Sequence, residues 1–354
     1  MALAGAFLAF VVTVLFMFAL RPIAEATSLV DVRKGHKRNG EPVPVIGGLA
    51  MCLGIVFVSG FVDFPSLFFP LIFAMVLLVV VGTIDDRFDL PASVRLVAQT
   101  CAALLVVVGA NITVTDLSQA FFVPLSIHPV AIPFSLLFIV TIINAFNVVD
   151  GIDGLAGGLS FIALAALAVL GVGSDVLLFV SLLAGVVAGY LLFNLPLGFN
   201  RSVRSFMGDA GSTFLGVAIA VLGIIMSQGE AARFPPVIGL WLVAVPVFDL
   251  FSAVIRRLVE RKSPFAPDHE HLHHVLVQHG LSSRSTLVLM LLMSGMLAIG
   301  GLFGHAAHMP EGLMLFGWFA ALFVYYQMMR RPVRVVRLLH GLKHARRPQA
   351  AEPS

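Results

Sequence analysis

The sequence predicts an all-α polytopic membrane protein with about 10 or 11 transmembrane helices. Of its 354 residues, 59% are hydrophobic and only 12% are charged, and the mean hydropathy is +1.01, whereas soluble domains are about a quarter charged. A helix needs roughly 20 apolar residues to cross the hydrocarbon core of a bilayer. Apolar runs of about this length, separated by Gly, Pro or charged residues, occupy residues 3–20, 44–62, 67–84, 94–111, 130–146, 155–173, 176–194, 212–227, 236–255, 285–304 and 312–328.

The basic residues predict how these helices are oriented. Short cytoplasmic loops carry an excess of Lys and Arg, and of the 22 such residues all except Arg233 fall into alternate loops, beginning with the loop after the first run. With eleven spans, this pattern places the N-terminus in the periplasm and the C-terminus in the cytoplasm. The opposite loops carry Asp and Glu instead, which supports both the count and the orientation.

The chain is predicted to form one transmembrane domain, residues 1–328, followed by a basic cytoplasmic tail, residues 329–354. Val and Leu are spaced among arginines at the start of the tail, which predicts a segment lying on the membrane surface. Cys52 and Cys101 both lie within apolar runs, which argues against a disulfide. The net charge of +3 is too small to indicate nucleic-acid binding. The basic residues are better explained as topology signals that also face anionic membrane lipid.

All five predicted cytoplasmic loops carry dense polar sequence, and the opposite loops carry nothing comparable. The five segments read DVRKGHKRNGEPVPVIGG (31–48), GTIDDRFDLPASVR (82–95), NAFNVVDGIDGLAGG (144–158), NRSVRSFMGDAGST (200–213) and RRLVERKSPFAPDHEHLHH (256–274). Because these polar groups are concentrated on one side of the membrane, we expect the functional site in the cytoplasmic loops.

The third segment predicts a metal site. Asn144, Asn147, Asp150 and Asp153 recur every three residues, which on a helix would place them in one slowly turning stripe. Carboxylate and amide oxygens suit a hard cation such as Mg²⁺, which shares its remaining positions with water and substrate phosphates. The alternative is a capped helix end, since Asn and Asp are ordinary caps.

Carboxylates in the second and fourth segments indicate the same chemistry. Asp85 and Asp86 are adjacent, so they need a cation, a shared proton or a basic partner; a structural pairing with nearby arginines is the alternative. Asp209 stands at the start of an apolar run, where helix N-terminal amides favour phosphate. Phe206, three residues earlier, is a candidate for stacking on a base, although core packing also explains it.

The fifth segment contains a histidine cluster: His269, His271, His273 and His274. Zinc is one interpretation, but there is no Cys nearby and the surroundings are rich in Lys and Arg, so we favour an anion site for a diphosphate. Together, carboxylates, anion donors and a membrane fit phosphoryl transfer, in which positioning and cations do most of the work. A lipid-linked acceptor would explain the membrane location.

A transporter is the main competing interpretation, because membrane carboxylates often mark ion paths. It predicts charged residues near mid-span and on both sides of the bilayer. Only Asp249 lies well within an apolar stretch, and the other carboxylates of the motifs collect on one side. A metal-binding scaffold without catalysis would need the histidines to bind zinc alone.

The five segments, in order, resemble the polyprenyl-phosphate N-acetylhexosamine-1-phosphate transferases of glycosyltransferase family 4. The last segment, with its HLHH sequence, is similar to the WecA-like branch of undecaprenyl-phosphate N-acetylglucosamine-1-phosphate transferases. The phospho-MurNAc-pentapeptide translocase branch has a different histidine motif and is the alternative, together with a transferase for another N-acetylhexosamine.

The resemblance implies that the transmembrane domain is catalytic and lies in the bacterial inner membrane. It would transfer a sugar 1-phosphate, with GlcNAc-1-phosphate expected, from a UDP-N-acetylhexosamine to undecaprenyl phosphate, releasing UMP. This would be the first lipid-linked step of O-antigen or other cell-surface polysaccharide synthesis. A homodimer is left open.

The resemblance also implies roles for individual residues. Mg²⁺, or alternatively Mn²⁺, would be held by Asn147 and Asp209. The uridine site would comprise Lys34, Asp153, Asn194 and Phe206. The phosphates would be bound by Arg95, His271, His273 and His274. The expected catalytic carboxylates are Asp85, Asp86, Asp150 and Asp153.

The acceptor's own chemistry bears on the mechanism. The second pKa of a phosphate monoester is near ~6, so at neutral pH the lipid phosphate is largely dianionic and needs no strong base. We therefore hypothesise direct attack on the β-phosphorus, with Asp85 and Asp86 orienting the acceptor and Asp150 supporting the metal site. The alternatives are deprotonation of the acceptor by Asp85 and attack by a carboxylate to give a covalent intermediate.

Overall fold

The computed structural model describes residues 2–31, 42–63, 65–171, 176–196, 203–230, 232–263 and 270–340, with side chains to residue 336. The structure is 76% helical and contains almost no sheet, which confirms the predicted all-α fold. In a small antiparallel sheet, β1 (Val30–Asp31) pairs with β2 (Val43–Pro44).

Each of the eleven predicted apolar runs contains a helix or a pair of helices. The described helices are α1 (Ala2–Thr27), α2 (Gly47–Ser59), α3 (Phe68–Phe88), α4 (Ala92–Val107), α5 (Ala131–Val149), α6 (Leu155–Leu170), α7 (Val176–Asn194), α8 (Gly208–Ser227), α9 (Pro236–Leu242), α10 (Ala244–Val259), α11 (Leu272–Gln278), α12 (Ser283–Ala306), α13 (Glu311–Arg330) and α14 (Pro332–His340).

Not all of these helices are long enough to cross a bilayer by themselves. Among the described residues, seven helices have the required length and hydropathy, and α9 with α10, bent by 83°, forms an eighth candidate. Three predicted spans are shorter apolar helices: α2 has 13 residues, and α4 and α6 have 16 each. The predicted runs are longer than these helices because apolar loop residues, such as Phe61 and Val108, continue the hydrophobic sequence beyond the helix ends.

Helix α8 is the centre of the bundle and is buried along most of its length. It packs against α2, α3, α5 and α6, and small residues permit this close packing of membrane helices. At Gly82 in α3, a Cβ would lie only 2.5 Å from the backbone nitrogen of Ala210. The missing side chain therefore lets α3 approach the first turn of α8 and brings Asp85 and Asp86 beside it.

The predicted tail begins as a helix. Helix α14 packs against α11 and α13, and its Val336 is buried. The apolar face of this short basic helix is thus turned toward the domain. The remainder of the tail lies outside the described residues.

Candidate active site

A cavity of about 430 Å³ lies at one end of the bundle, between the last turns of α3, α5 and α7 and the first turn of α8. Its lining residues are Val30, Asp31, Val45, Asp86, Asn147, Asp150, Gly151, Ile152, Asp153, Asn194, Phe206, Met207, Gly208, Asp209 and Ser283. Most of these come from four of the five polar segments; the others are Val30, Asn194 at the end of α7, and Ser283 at the start of α12. The structure thus brings these segments together at one end of the bundle; that this is the functional site, and that this end faces the cytoplasm, stay predictions.

The start of α8 is the anchor of the site. Asp86 accepts hydrogen bonds from the backbone nitrogens of Asp209, at 2.8 Å, and Ala210, at 3.4 Å. Its carboxylate thus caps two of the amides that a helix leaves free at its N-terminus. The side chain of Asp85, the preceding residue, is 4% exposed and is not part of the cavity lining.

Arg95 links the two acidic segments. Its Nη1 lies 3.3 Å from Asp85 Oδ2 and 3.2 Å from Asp209 Oδ2. The other oxygen of Asp85 accepts a 2.6 Å hydrogen bond from the backbone nitrogen of Leu90. Asp85 therefore fixes the turn between α3 and α4 and orients Arg95. Its side chain also interacts with that of Asp209, which lines the cavity together with Asp86.

The third segment does not form the continuous helical stripe that its spacing predicts. Helix α5 ends at Val149, and Asp150 and Asp153 lie in the turn that leads to α6. Asn147 remains at the cavity and donates from Nδ2 to Asp209 Oδ1, at 2.9 Å, and to Ser212 Oγ, at 3.1 Å.

Asn144 was expected in the same stripe, and that expectation is wrong. Its Nδ2 donates to Gln99 Oε1 at 2.7 Å and to the Val140 carbonyl at 2.8 Å. The residue therefore joins α5 to α4 and is not part of the cavity lining.

Asp150 lies among other carboxylates, and its environment disfavours its charge. Burial, and then the negative charges of Asp209 and Asp86, raise the pKa of Asp150 from 3.8 to about 8. A carboxyl group with this pKa is largely protonated at neutral pH unless a cation enters the cavity.

Asp153 and Phe206 share one cationic neighbour. Arg204 forms an ion pair with Asp153, and its guanidinium carbon lies 5.2 Å from the centre of the Phe206 ring, a distance typical of a cation–π contact. Two of the four residues predicted to hold uridine are thus close together, with Arg204 between them.

Asn194 connects the third and fourth segments. Its side chain is buried; Oδ1 accepts a 2.6 Å hydrogen bond from the Gly154 nitrogen, and Nδ2 donates to the Ser205 carbonyl at 2.9 Å. Both ends of the amide are engaged, so Asn194 sets the distance between the Asp153 turn and the strand-like segment that carries Phe206.

The first segment is attached to the fourth by backbone pairing. The Pro44 carbonyl accepts hydrogen bonds from Ser205 Oγ and from the Phe206 nitrogen, both at 2.9 Å, and the Gly47 nitrogen donates to the Phe206 carbonyl. Of the predicted substrate-binding residues, Lys34 lies outside the described part of the chain.

The histidines lie beside the cavity and do not line it. His271 and His273 are buried. Their rings are nearly parallel, with ring centres 6.0 Å apart, and the ring centre of His274 lies 4.1 Å from that of His273. Burial lowers the pKa of His273 to about 3, against a smaller opposing effect of Asp249. His273 is thus a neutral imidazole that would contact an anion through a neutral hydrogen bond. His269 lies outside the described residues.

The composition of the cavity fits a hard divalent cation. The lining residues that the structure describes include five aspartates and no Lys, Arg or His. Within the described residues, no three His, Cys, Asp or Glu side chains are already grouped as metal ligands. Burial and the neighbouring Asp209 and Asp86 nevertheless disfavour the charge of Asp150, so a cation in the cavity would stabilise its ionised form, and the oxygen donors suit Mg²⁺ or Mn²⁺.

Sequence reasoning missed several residues of the site. Asp31 and Ser283 line the cavity, and Arg204, interpreted only as a topology signal, pairs with Asp153. The sequence signal for Arg204 was its position two residues before Phe206; for Asp31 and Ser283 no local signal distinguishes them from loop residues.

Fold and site together define a polytopic membrane protein whose acidic pocket, opening at one end of the bundle, suits metal-assisted phosphoryl transfer. The sequence profile of glycosyl transferase family 4 matches residues 68–227, which span α3 to α8. The chain belongs to this family, and its relatives within the family are sugar-1-phosphate transferases.

Similarity to characterised relatives extends over nearly the full length. The chain is 35% identical to the undecaprenyl-phosphate alpha-N-acetylglucosaminyl 1-phosphate transferase of Salmonella typhi over 348 residues, covering 96% of this chain and 94% of the relative. It is 33% identical to the enzyme of the same name from Escherichia coli strain K12, covering 98% and 96%. The Haemophilus influenzae enzyme of that name is 32% identical, covering 95% and 96%.

Proposed function

We propose that the protein transfers N-acetylglucosamine 1-phosphate from UDP-N-acetylglucosamine to undecaprenyl phosphate and releases UMP. The observation that carries this proposal is the junction at the start of α8, where Asp86, Asn147 and Arg95 all contact Asp209. Full-length similarity to enzymes named for this reaction supports it. The product would be the first lipid-linked intermediate of a cell-surface polysaccharide, made in the bacterial inner membrane.

The cavity suggests how the donor is bound. Phe206 offers a ring face to uracil once the Arg204 guanidinium moves, and Asp153 lies next to it as an acceptor for the base or ribose. Asn147 and Asp209 would hold Mg²⁺, with Asp150 close by; when bound, the cation neutralises phosphate charge and polarises the bond that breaks. Lys34, His273 and His274 remain candidates for contacts with uridine or phosphate.

The transfer itself is a direct displacement. An oxygen of the lipid phosphate forms a bond to the β-phosphorus of the donor, and the bond from that phosphorus to the oxygen bridging to the α-phosphate breaks, so UMP leaves with the bridging oxygen. Asp86 orients the acceptor from within the cavity. Arg95 lies outside the cavity lining but contacts Asp209; from this position it would stabilise the phosphoryl oxygens, and Asp85 would act through Arg95.

The test is UMP release by purified protein with undecaprenyl phosphate, Mg²⁺ and, separately, UDP-N-acetylglucosamine, UDP-N-acetylgalactosamine and UDP-N-acetylmuramoyl-pentapeptide. We expect release with the first donor only, and only with lipid and metal present. Asp209→Asn should lower kcat at least about 100-fold, because metal-assisted charge stabilisation is worth several kcal/mol.

The matched control is Asp89→Asn, an exposed carboxylate that directly follows α3 in the second polar segment. This variant should keep its activity. Release from a different donor would reassign the sugar, whereas equal activity of Asp209→Asn and wild type would refute the proposed metal site. A phosphorylated aspartate recovered after incubation with donor and without lipid would replace the direct mechanism by a two-step one.

A further inference from the structure

A carboxylate is completely buried inside the helix bundle, next to the histidine segment. Asp249 of α10 is 0% exposed. Its Oδ1 accepts hydrogen bonds from the Leu272 nitrogen and from the Tyr325 hydroxyl, both at 2.9 Å, and its Oδ2 lies 3.0 Å from His271 Nδ1. One side chain thus joins the start of α11 and the middle of α13 to α10.

The contacts continue from this carboxylate to the wall of the cavity. The His271 ring lies parallel to that of His273, with ring centres 6.0 Å apart. His273 is itself 0% exposed, and a Cβ on Gly151 would collide with its Nε2. Gly151 follows Asp150 directly in the turn that lines the cavity. A continuous series of contacts therefore links Asp249 to that turn.

Stability alone does not account for a carboxylate at this place. Removing a charge from water costs several kcal/mol, and apolar replacement of a buried ion pair is often neutral or stabilising. The three partners of Asp249 offset this cost. His271 and Leu272 belong to the histidine segment, and Tyr325 belongs to α13, which packs against α10. Carboxylate–histidine pairs commonly fix the orientation and tautomer of a functional imidazole.

We propose that Asp249 is a positioning residue for the transferase: through His271 and the first turn of α11, it holds His273 and His274 against the Gly151 turn. This inference rests on the proposed function, since the histidines are its phosphate-binding candidates. Tyr325 assists by fixing the carboxylate from α13. Asp249 itself does not touch the cavity.

The first test is Asp249→Asn. An Asn side chain of the same shape keeps an oxygen for Leu272 and Tyr325, and it places an amide where Oδ2 faces His271, so the change is confined to the histidine side. The matched control is Ser252→Ala, in the same helix. Ser252 is also fully buried, and within the described residues its hydroxyl makes no hydrogen bond.

We expect kcat for UMP release to fall about 10- to 100-fold in Asp249→Asn, as for other groups that orient a functional histidine, and to be unchanged in Ser252→Ala. Thermal unfolding of both variants should stay close to that of wild type. In a His271→Gln background, Asp249→Asn should have little further effect, because Asp249 acts through His271. Additive effects, or an unchanged kcat, would overturn the proposal.

Hydrogen exchange tests the same idea without activity. Amides of residues 272–279 should exchange at least tenfold faster in Asp249→Asn than in wild type or Ser252→Ala; equal exchange would overturn the proposal. If wild type releases no UMP from any donor, the proposed function fails while this comparison still decides whether Asp249 orders α11.

If Asp249→Asn does not fold, Tyr325→Phe is the alternative variant, because it removes only one hydrogen bond. It should show the lower kcat and the faster exchange at smaller size, and the absence of both would count equally against the proposal.

Discussion

Raising the pH from 6 to 8 should destabilise the metal-free protein, because Asp150 must become charged among other carboxylates. Its pKa is about 8 in the folded protein, against 3.8 for an ordinary Asp. When the folded pKa is the higher one, unfolding releases a proton, so stability is greatest below pH 3.8, falls as the pH rises and levels off above 8. Between pH 6 and 8 these two values give a change of about 50-fold in the unfolding equilibrium, or about 2 kcal/mol.

The assay is thermal unfolding in detergent with EDTA, followed by intrinsic fluorescence at several pH values. A loss of about 2 kcal/mol lowers the unfolding midpoint by a few degrees. Other ionisable groups also contribute to the pH dependence, so the informative quantity is the difference between wild type and Asp150→Asn, whose amide carries no titrating proton. Mg²⁺ should remove most of this difference, because a cation in the cavity favours the ionised carboxylate.

Two results would refute the reasoning. If Asp150→Asn and wild type lose stability equally between pH 6 and 8, Asp150 does not titrate in this range. If Mg²⁺ stabilises both proteins equally at every pH, the cation does not bind near Asp150. A flat wild-type profile in EDTA would contradict the raised pKa itself.

Three further predictions concern packing, stacking and the arginine bridge. Gly82→Ala should cost about 1–3 kcal/mol of stability and lower activity, because the added methyl group meets the backbone of Ala210; Gly295→Ala, which adds a methyl group in open space, is the control in thermal unfolding. Phe206→Ala should weaken UMP binding by about 1–3 kcal/mol in calorimetry, the range for base–aromatic stacking, with Phe206→Trp retaining affinity; equal affinities would exclude stacking. Arg95→Lys should lower kcat at least tenfold, because a single ammonium group does not reproduce the forked geometry with which guanidinium contacts carboxylates and phosphates, and wild-type kinetics would show that only the charge matters.

The helices and the one-sided grouping of the motifs could be predicted because both depend on local composition. Apolar runs locate the helices, and alternation of charge between loops shows which ends meet. Long-range packing decides the rest. Asp85 and Asp86 look equivalent in sequence, but neighbouring residues on a helix point about 100° apart, and only the position of α8 determines that Asp86 reaches the cavity while Asp85 contacts Arg95.

The misplacement of Asn144 has a similar cause. Asn144 lies nearly one helical turn before Asn147 in α5 and therefore farther from the cavity end, at a level where α4 packs against α5. The hydrogen-bond partner of Asn144 is Gln99 of α4, and no local sequence pattern predicts this contact. In the same way, the proximity of His271 to Asp249 depends on how α11 folds back onto α10, which the sequence between them does not specify.

The short helices around the site have a consequence for how a lipid substrate would meet the protein. Helices α2, α4 and α6 all begin at the cavity end and contain 13, 16 and 16 residues, so they are about 20 to 24 Å long, less than the roughly 30 Å of a bilayer core. Either the bilayer thins around them or the polar end of the bundle is recessed below the surrounding headgroups. In both cases the pocket lies closer to the level in the membrane at which a lipid carries its phosphate. A long-chain substrate then reaches the reacting groups by lateral diffusion, with its hydrocarbon tail still in the membrane.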